Sequence, residues 1–456
     1  MATVFIYDSY GMEYTYKPNY NWSLDVAAST YIYYTYNPDS STDFTLSGSF
    51  QVAGNQVSDG TITGMAYTVS GNNAWSMFGA STSWAQYNSW SGNLWELFLS
   101  GNDFLYGGTG NNSIYGYGGN DLISSAEGND YINGMSGNDY LIAGDGDDTL
   151  YGESGTDYLD AGTGNDYIYA GADNDWVFGW NGNDALYGED GNDYIVGDFG
   201  TSGEFGNDAI SGGNGADWIY GGIGNDRING DDGSDVIFCD VAIAGADIAG
   251  GGYGSDYVFG GSGGDTIYGS NINDTSTSGD SAGNDWLYGG DGADIIYGNG
   301  GNDVIYGDFD ITNGEGAGAD SIYAGDGNDI IFGGASNDLI DAGVGNDWIY
   351  GGAGGDTLTG GTGRDYFMYL TSAEFGDTIT DFVPSQGDRV NISNALETLG
   401  YFGSNAFGQG WASLVANGSN TILRIDSNGS ASGGTIIDAI TFQNSTPAAL
   451  NGYIFT

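Results

Sequence analysis

Aspartate recurs at nine-residue intervals through the middle of this 456-residue chain, behind a glycine-rich turn and two places before an apolar residue. The register opens with Asp103, Asp121, Asp130, Asp139, Asp148, Asp157, Asp166, Asp175, Asp184 and Asp193, with Asn112 as its one departure. It resumes with Asp208, Asp217, Asp226 and Asp235, then Asp247, Asp256 and Asp265, then Asp285, Asp294 and Asp303. It closes with Asp320, Asp329, Asp338, Asp347, Asp356 and Asp365, making 27 units. Counting the aspartate as position 6, glycine collects at positions 1 to 5, as in GGDGAD (289–294). Glycine allows positive φ and close convergence of backbone carbonyls. Carbonyl oxygens with one carboxylate per turn form a hard, anionic donor set. It suits calcium, which takes six to eight oxygens in flexible geometry. It suits zinc or copper poorly, because no imidazole and no set of thiolates is present.

Something regular must carry these turns. Position 8 is apolar in every unit, from Leu105, Ile114 and Ile123 to Ile349 and Leu358, with Ala249 the smallest. Positions 7 and 9 are often aromatic, as in Trp286, Tyr288, Tyr297 and Tyr306. This predicts a three-residue strand with position 8 facing one way and positions 7 and 9 the other. One inward aliphatic residue is too little core for a single unit, so the units must stack. The outward tyrosines read as cross-strand stacking. Trp176, Trp218, Trp286 and Trp348 read instead as partner contacts, because their exposure is costly. Four insertions interrupt the register, before units 12, 16, 19 and 22. With alternate units turning on alternate edges, three of the four belong to one edge. Asp274 lies in register but is followed by Ser276, so it reads as loop.

Composition narrows the chemistry further. The chain carries 61 acidic residues against 5 basic ones, a formal net charge of −56, and no histidine. Nucleic acid and acidic membranes would be repelled, so the missing positive charge points to metal cations. Without histidine there is no Ser–His–Asp set and no His-ligated zinc. The single Cys239 reads as a passive buried residue. The Gly279-Asp280-Ser281-Ala282-Gly283 match to a nucleophile elbow sits in a polar insertion with no base available. Abundant aspartate makes a chance carboxylate pair inevitable, so no glycosidase is inferred from one. No continuous apolar run is long enough for a membrane span, and the N-terminus lacks a basic leader with an apolar stretch.

The units GGDGADIIY (289–297) and GGIGNDRIN (221–229) resemble the repeats-in-toxin (RTX) nonapeptide over roughly residues 101–368. The resemblance implies an all-β chain whose centre is a right-handed parallel β-roll with two units per turn. It implies Ca²⁺ in many copies, roughly one per repeat turn, with each position-6 aspartate named above as a side-chain metal ligand. Asn112 should contribute less. Ice-binding relatives present regular Thr and Asn rows; here position 3 holds Thr109, Gly118, Glu127 and Ser136, so no threonine row forms.

Three domains are expected. Residues 1–100 alternate apolar and polar residues, as in TDFTLSGSFQV (42–52), and read as an N-terminal β-rich domain. Residues 101–365 are the calcium-binding roll. Residues 366–456, with FGDTITDFVPSQGDRVNIS (375–393), resemble the C-terminal cap of type I secretion substrates. That implies export through type I secretion machinery to the exterior or cell surface of a Gram-negative-type bacterium. The leading expectation is a non-enzymatic structural protein that self-assembles into a homo-polymer such as a surface layer, sheath or filament. The alternative is a calcium-dependent adhesin that binds a surface glycan through residues 1–100. Neither involves nucleic acid or a membrane span.

Overall fold

The structure is a computed structural model. It describes residues 101–107, 109–198, 206–240, 245–272, 283–308, 318–429 and 434–456, and the strands of the first hundred residues. The chain divides into two compact units, residues 1–198 with 203–205 and residues 206–456 with 199–202.

The first unit begins with six strands: β1 (Thr3–Tyr7), β2 (Glu13–Tyr16), β3 (Thr30–Thr35), β4 (Thr42–Ala53), β5 (Gln56–Val69) and β6 (Asn72–Ser83). The alternating stretch at 42–52 is β4, which pairs antiparallel with β5. The antiparallel order is β2-β1-β3-β4-β5-β6, and β6 pairs antiparallel with β7 (Phe104–Gly107). With β7 the pairing turns parallel, onto Leu122–Glu127. From there successive strands alternate between two sheets, here A and B. In sheet A Leu141 stands beside Leu159, and in sheet B Leu150 stands beside Ile168. Each partner is one eighteen-residue turn away, so two units complete a turn.

The second unit repeats the pattern. Sheet A runs from Trp218–Gly222 through Trp348–Ala353 to Arg389–Asn391, and ends parallel to Ile454–Phe455. Sheet B runs from Ala209–Gly215 to Asp377–Ile379. There it pairs with Ile436–Phe442, which continues antiparallel into Asn420–Asp426 and Ala412–Asn417. These last strands cover the open edge of sheet B, which would otherwise invite further pairing.

The strands are longer than the apolar bursts suggest. In many turns they run six residues, as in Tyr140–Asp145 and Trp286–Asp291, from position 7 through position 3 of the next unit. The extra length brings in a second buried row. Position 8 is fully buried, as at Ile132, Leu141, Ile219 and Ala249, and so is position 1, as at Ala143, Ala161, Ala324 and Ala342. Cys239 occupies position 1 and is likewise fully buried. Position 2 adopts left-handed φ even without glycine, at Met135 (71°), Glu153 (75°) and Asn299 (69°), because the turn geometry demands it there. Ordering nine residues around one aliphatic and one small side chain leaves the turns to supply stability that the core does not.

On the outer faces position 9 forms aromatic ladders. In sheet A of the second unit Tyr220, Phe238, Phe259, Tyr288, Tyr306, Phe332 and Tyr350 stack at centroid spacings of 4.6–5.0 Å. Position 7 lies outside these ladders, with Trp176 and Trp218 each 49% exposed. The inserted segments 199–205, 241–244, 273–282 and 309–317, with Asp274 and Asp280, lie outside the described residues. By their flanking strands, 241–244 and 309–317 lead from sheet A to sheet B, and 273–282 leads from B to A.

Candidate metal centre

Every position-6 aspartate, from Asp103 to Asp365, is buried at the turn, none more than 3% exposed. Backbone bonds from the neighbouring strands fix each one. Its carbonyl accepts the position-7 N–H of the next turn, as Asp103 does from Leu122 (2.9 Å) and Asp121 from Tyr140 (2.8 Å). Along the row, Oδ1 accepts the N–H of the position-6 residue one turn earlier, Asn112 in the case of Asp130, whereas Asp103 at the head of the row has no such donor among the described residues. Thus Asp121 takes the Asp103 N–H at 2.8 Å, Asp139 takes that of Asp121 at 2.7 Å, and Asp294 takes that of Asp265 at 2.8 Å. Where an insertion lengthens the spacing to 29 or 26 residues, the bond is unchanged, as in Asp256 to Asp285 and Asp303 to Asp329. Within the second unit the insertions leave the turns in register.

The second carboxylate oxygen is left over. At Asp121, Asp139, Asp157, Asp285, Asp294 and Asp303, Oδ2 is buried without a hydrogen-bond partner. A buried polar atom in that state carries a substantial cost, larger still if charged. The oxygens also converge. A methyl group on Gly269 would stand 2.6 Å from Asp285 Oδ2 and 2.5 Å from the Gly298 carbonyl oxygen. One on Gly221 would meet Asp226 Oδ2 at 2.6 Å and the Cys239 carbonyl at 2.8 Å. Where position 1 is glycine, as at Gly221 and Gly269, the space beside it is lined by one carboxylate oxygen and one carbonyl oxygen from the next turn, whereas Ala143, Ala324 and Cys239 place a small side chain there. Among the described residues no group of three or more acidic, His or Cys side chains converges. The donor set is a single carboxylate with backbone carbonyls, which fits a hard cation such as calcium.

Electrostatics agree with that fit. Burial, with neighbouring carboxylates adding to it, pushes Asp303 up to about 9 and Asp121, Asp285 and Asp294 up to about 8. Left alone at neutral pH these groups favour protonation. A cation in the cradle supplies the positive charge that would keep them ionised. Asn112 differs from the aspartates of the row. Its Nδ2 donates to Asp130 Oδ1 (3.0 Å), so a donor stands where other turns carry an acceptor.

Three features escape the repeat pattern. The ladder continues beyond Asp365, since Asp377 Oδ1 accepts the Asp356 N–H (2.9 Å) and Asp388 Oδ1 the Asp365 N–H (3.3 Å). The signal is present as Asp-Thr-Ile (377–379) and Asp-Arg-Val (388–390), out of nine-residue spacing. Position 5 forms a second ladder of opposite sense: Asn302, Asn328 and Asn346 each donate backbone and side-chain N–H to the asparagine Oδ1 one turn earlier. Finally, buried position-2 aspartates stand where inserted loops begin. Asp240 Oδ2 accepts the N–H of Gly245 (2.7 Å), and Asp308 accepts those of Gly318 (3.3 Å) and Ala335 (2.7 Å). These two carboxylates close the necks of their loops.

Comparison with known proteins follows the same lines. Nine stretches between residues 99 and 367, together more than half of the chain, match the family described as RTX calcium-binding nonapeptide repeat (4 copies). No curated protein matches. Among solved structures, the chain is similar to the AlgE6R2 subunit of the Azotobacter vinelandii mannuronan C5-epimerase. The identity is 26%, covering 38% of this chain and 87% of that one, with a TM-score of 0.20. The AlgE6R3 subunit of the same enzyme shares 25% identity over 40% of this chain and 82% of its own, with a TM-score of 0.19. The extracellular lipase LipA from Serratia marcescens shares 17% identity over 58% of this chain and 42% of its own, with a TM-score of 0.14. Repeats, buried aspartate rows and family match agree: the chain belongs to the RTX calcium-binding nonapeptide repeat family.

Proposed function

We propose that this is a secreted, calcium-loaded structural protein that assembles with copies of itself at a cell surface or in an extracellular matrix. The observation that carries the calcium half is the row of buried, unpartnered Oδ2 atoms, such as those of Asp285, Asp294 and Asp303, which face a carbonyl oxygen across a position-1 glycine. In this reading the position-6 aspartates, and Asp377 beyond them, are the side-chain ligands. The chain's own residues do the rest: backbone ladders position the carboxylates, and glycine at position 1, where it occurs, leaves the cradle open. Support for assembly is narrower. Among the described strands β2 has one neighbour, β1, so the antiparallel sheet ends in an edge open to pairing. Export by a type I route rests on the likeness of residues 366–456 to such C-terminal segments. No helix among the described residues is long and apolar enough to cross a membrane.

The adhesin reading, with residues 1–100 binding a surface glycan, is the alternative. Negative-stain microscopy with and without calcium separates the two. Ordered polymers that vanish on deleting residues 1–100, while calcium-dependent folding persists, support assembly. Monodisperse particles at every calcium concentration transfer the function to adhesion. Polymers that survive the deletion place the contacts on the sheet faces instead.

A further inference from the structure

We infer that the outer face of sheet A in the second unit binds a neutral polysaccharide chain laid along the roll. The inference stands apart from self-assembly. It concerns the seven strands from Trp218 to Tyr350, whose outward positions 7 and 9 carry no charged residue in a chain of net charge −56. Sheet B of the same unit places Arg227, Asn229, Ser321 and Asp341 at those positions. An uncharged apolar strip on one face only is a selective feature of that face.

Its form indicates what covers it. Position 9 cannot offer flat platforms: its rings lie nearly parallel, 1° apart for Tyr288 and Tyr306 and 7° for Tyr306 and Phe332, so each covers its neighbour and presents an edge. Position 7 is the accessible row, with Trp218 (49%), Tyr257 (43%), Trp286 (39%) and Trp348 (42%) exposed. Trp286 keeps that exposure although it stacks on Tyr257 at 5.8 Å and 26°, and Trp348 although it stacks on Tyr366 at 5.1 Å and 21°; both pairs are looser than the position-9 ladder. The tryptophans recur every third strand, at Trp218, Trp286 and Trp348. At strand spacings of about 4.8 Å this separates them by roughly 14 Å, on a strip roughly 29 Å long and roughly 10 Å wide.

Charge and area then select the occupant. A polyanion or acidic membrane would have to approach between edges lined with carboxylates. A second copy meeting this strip face to face would bury roughly 600 Å² in total, about half the lower limit for a stable protein interface. A single neutral sugar polymer needs no such area from any one ring. Its pyranose C–H faces can lie on the indoles, and its hydroxyls can reach carbonyl and carboxylate oxygens along the turns. A long, narrow, uncharged strip with spaced aromatic platforms matches that chemistry.

The test uses the full chain at saturating calcium, in native gels containing hydroxyethyl cellulose, xyloglucan, galactomannan or dextran, with alginate as the anionic control. Retardation is expected in at least one neutral gel and not in alginate. The double variant Trp286→Ala with Trp348→Ala should weaken it by about tenfold or more. Trp176→Ala, exposed but in the first unit, should not, and circular dichroism should show all three proteins equally folded. No retardation in any of the four neutral gels overturns the inference. So does retardation that the double variant retains, or that Trp176→Ala equally abolishes. A concentration-dependent dimer lost in the double variant would identify the occupant as a second copy and overturn it too.

Discussion

The turns and the outer sheet faces of this protein obey different rules. At the turns the same aspartate returns with the same two backbone bonds, and insertions of different length leave it in place. On the faces sheet A of the second unit carries a continuous aromatic ladder, whereas sheet B mixes tyrosine with serine, asparagine and aspartate. Buried oxygens that must share a cation tolerate little variation. Outward side chains make smaller and separable contributions, so each face can specialise without altering the roll.

The sharpest way to break this contrast is to remove the metal. Chelation with EGTA should unfold the roll and abolish turns and ladders together, seen as loss of β-sheet circular dichroism. A spectrum indifferent to EGTA would show that the turns hold themselves.

Next in size is the pH response of whatever metal-free chain stays folded. The buried aspartates have folded values of about 6 for Asp139 and Asp256, about 8 for Asp294 and about 9 for Asp303, all raised by burial from 3.8. The folded form then binds more protons than the unfolded one. Their stabilising contribution is full below the unfolded pKa and is lost as pH rises through about 6 to 9. In EGTA the thermal midpoint should therefore be highest near pH 4 and fall toward pH 9, flattening above the highest of these values. With calcium the trend reverses, because protons compete for the ligand oxygens. A midpoint in EGTA that rises from pH 4 to pH 8 would contradict the burial of these groups.

Single turns should matter less. Replacing Asp285, Asp303 and Asp320 together by alanine should open a local gap that limited proteolysis cuts first. Asp294→Ala alone should cost on the order of 1–3 kcal/mol at saturating calcium, since neighbouring turns hold the stack. If that one change unfolds the whole roll, nearest-neighbour stability is the wrong description.

The smallest effect belongs to the faces. Tyr288→Ser interrupts the ladder between Phe259 and Tyr306 and should cost about 0.5–1.5 kcal/mol beyond its lost buried area. Calcium affinity should not change. A measurable loss of affinity would join the two regions that the structure keeps apart.

Much of the turn was legible because its chemistry repeats. The position-6 aspartates, the buried position-8 row and the odd behaviour of Asn112 all follow from a nine-residue register and the need to gather oxygens. What escaped did so for identifiable reasons. Position 1 reads as turn glycine, so its role as a second inward row is visible only once Ala143 and Ala324 are seen fully buried. Asp377 and Asp388 fall outside the register because the intervening loops are longer, yet each receives the same N–H bond as its predecessors. Asp240 and Asp308 look like ordinary loop acids, since nothing in composition signals a carboxylate bonding across an insertion.

The alternation of strands between two sheets gives the chain a reading frame of eighteen residues, not nine. Deleting the eighteen residues from Asp285 through Asn302 would rejoin like with like, leaving every downstream side chain on its own face. Removing nine residues instead would move every later strand to the opposite sheet. Trp348 and Tyr350 would then leave the row that holds Trp218 and Tyr220, and the uncharged strip would be cut in two. Growth or loss of such a chain by eighteen-residue steps preserves what its faces display, while a nine-residue step keeps the metal turns and scrambles the display.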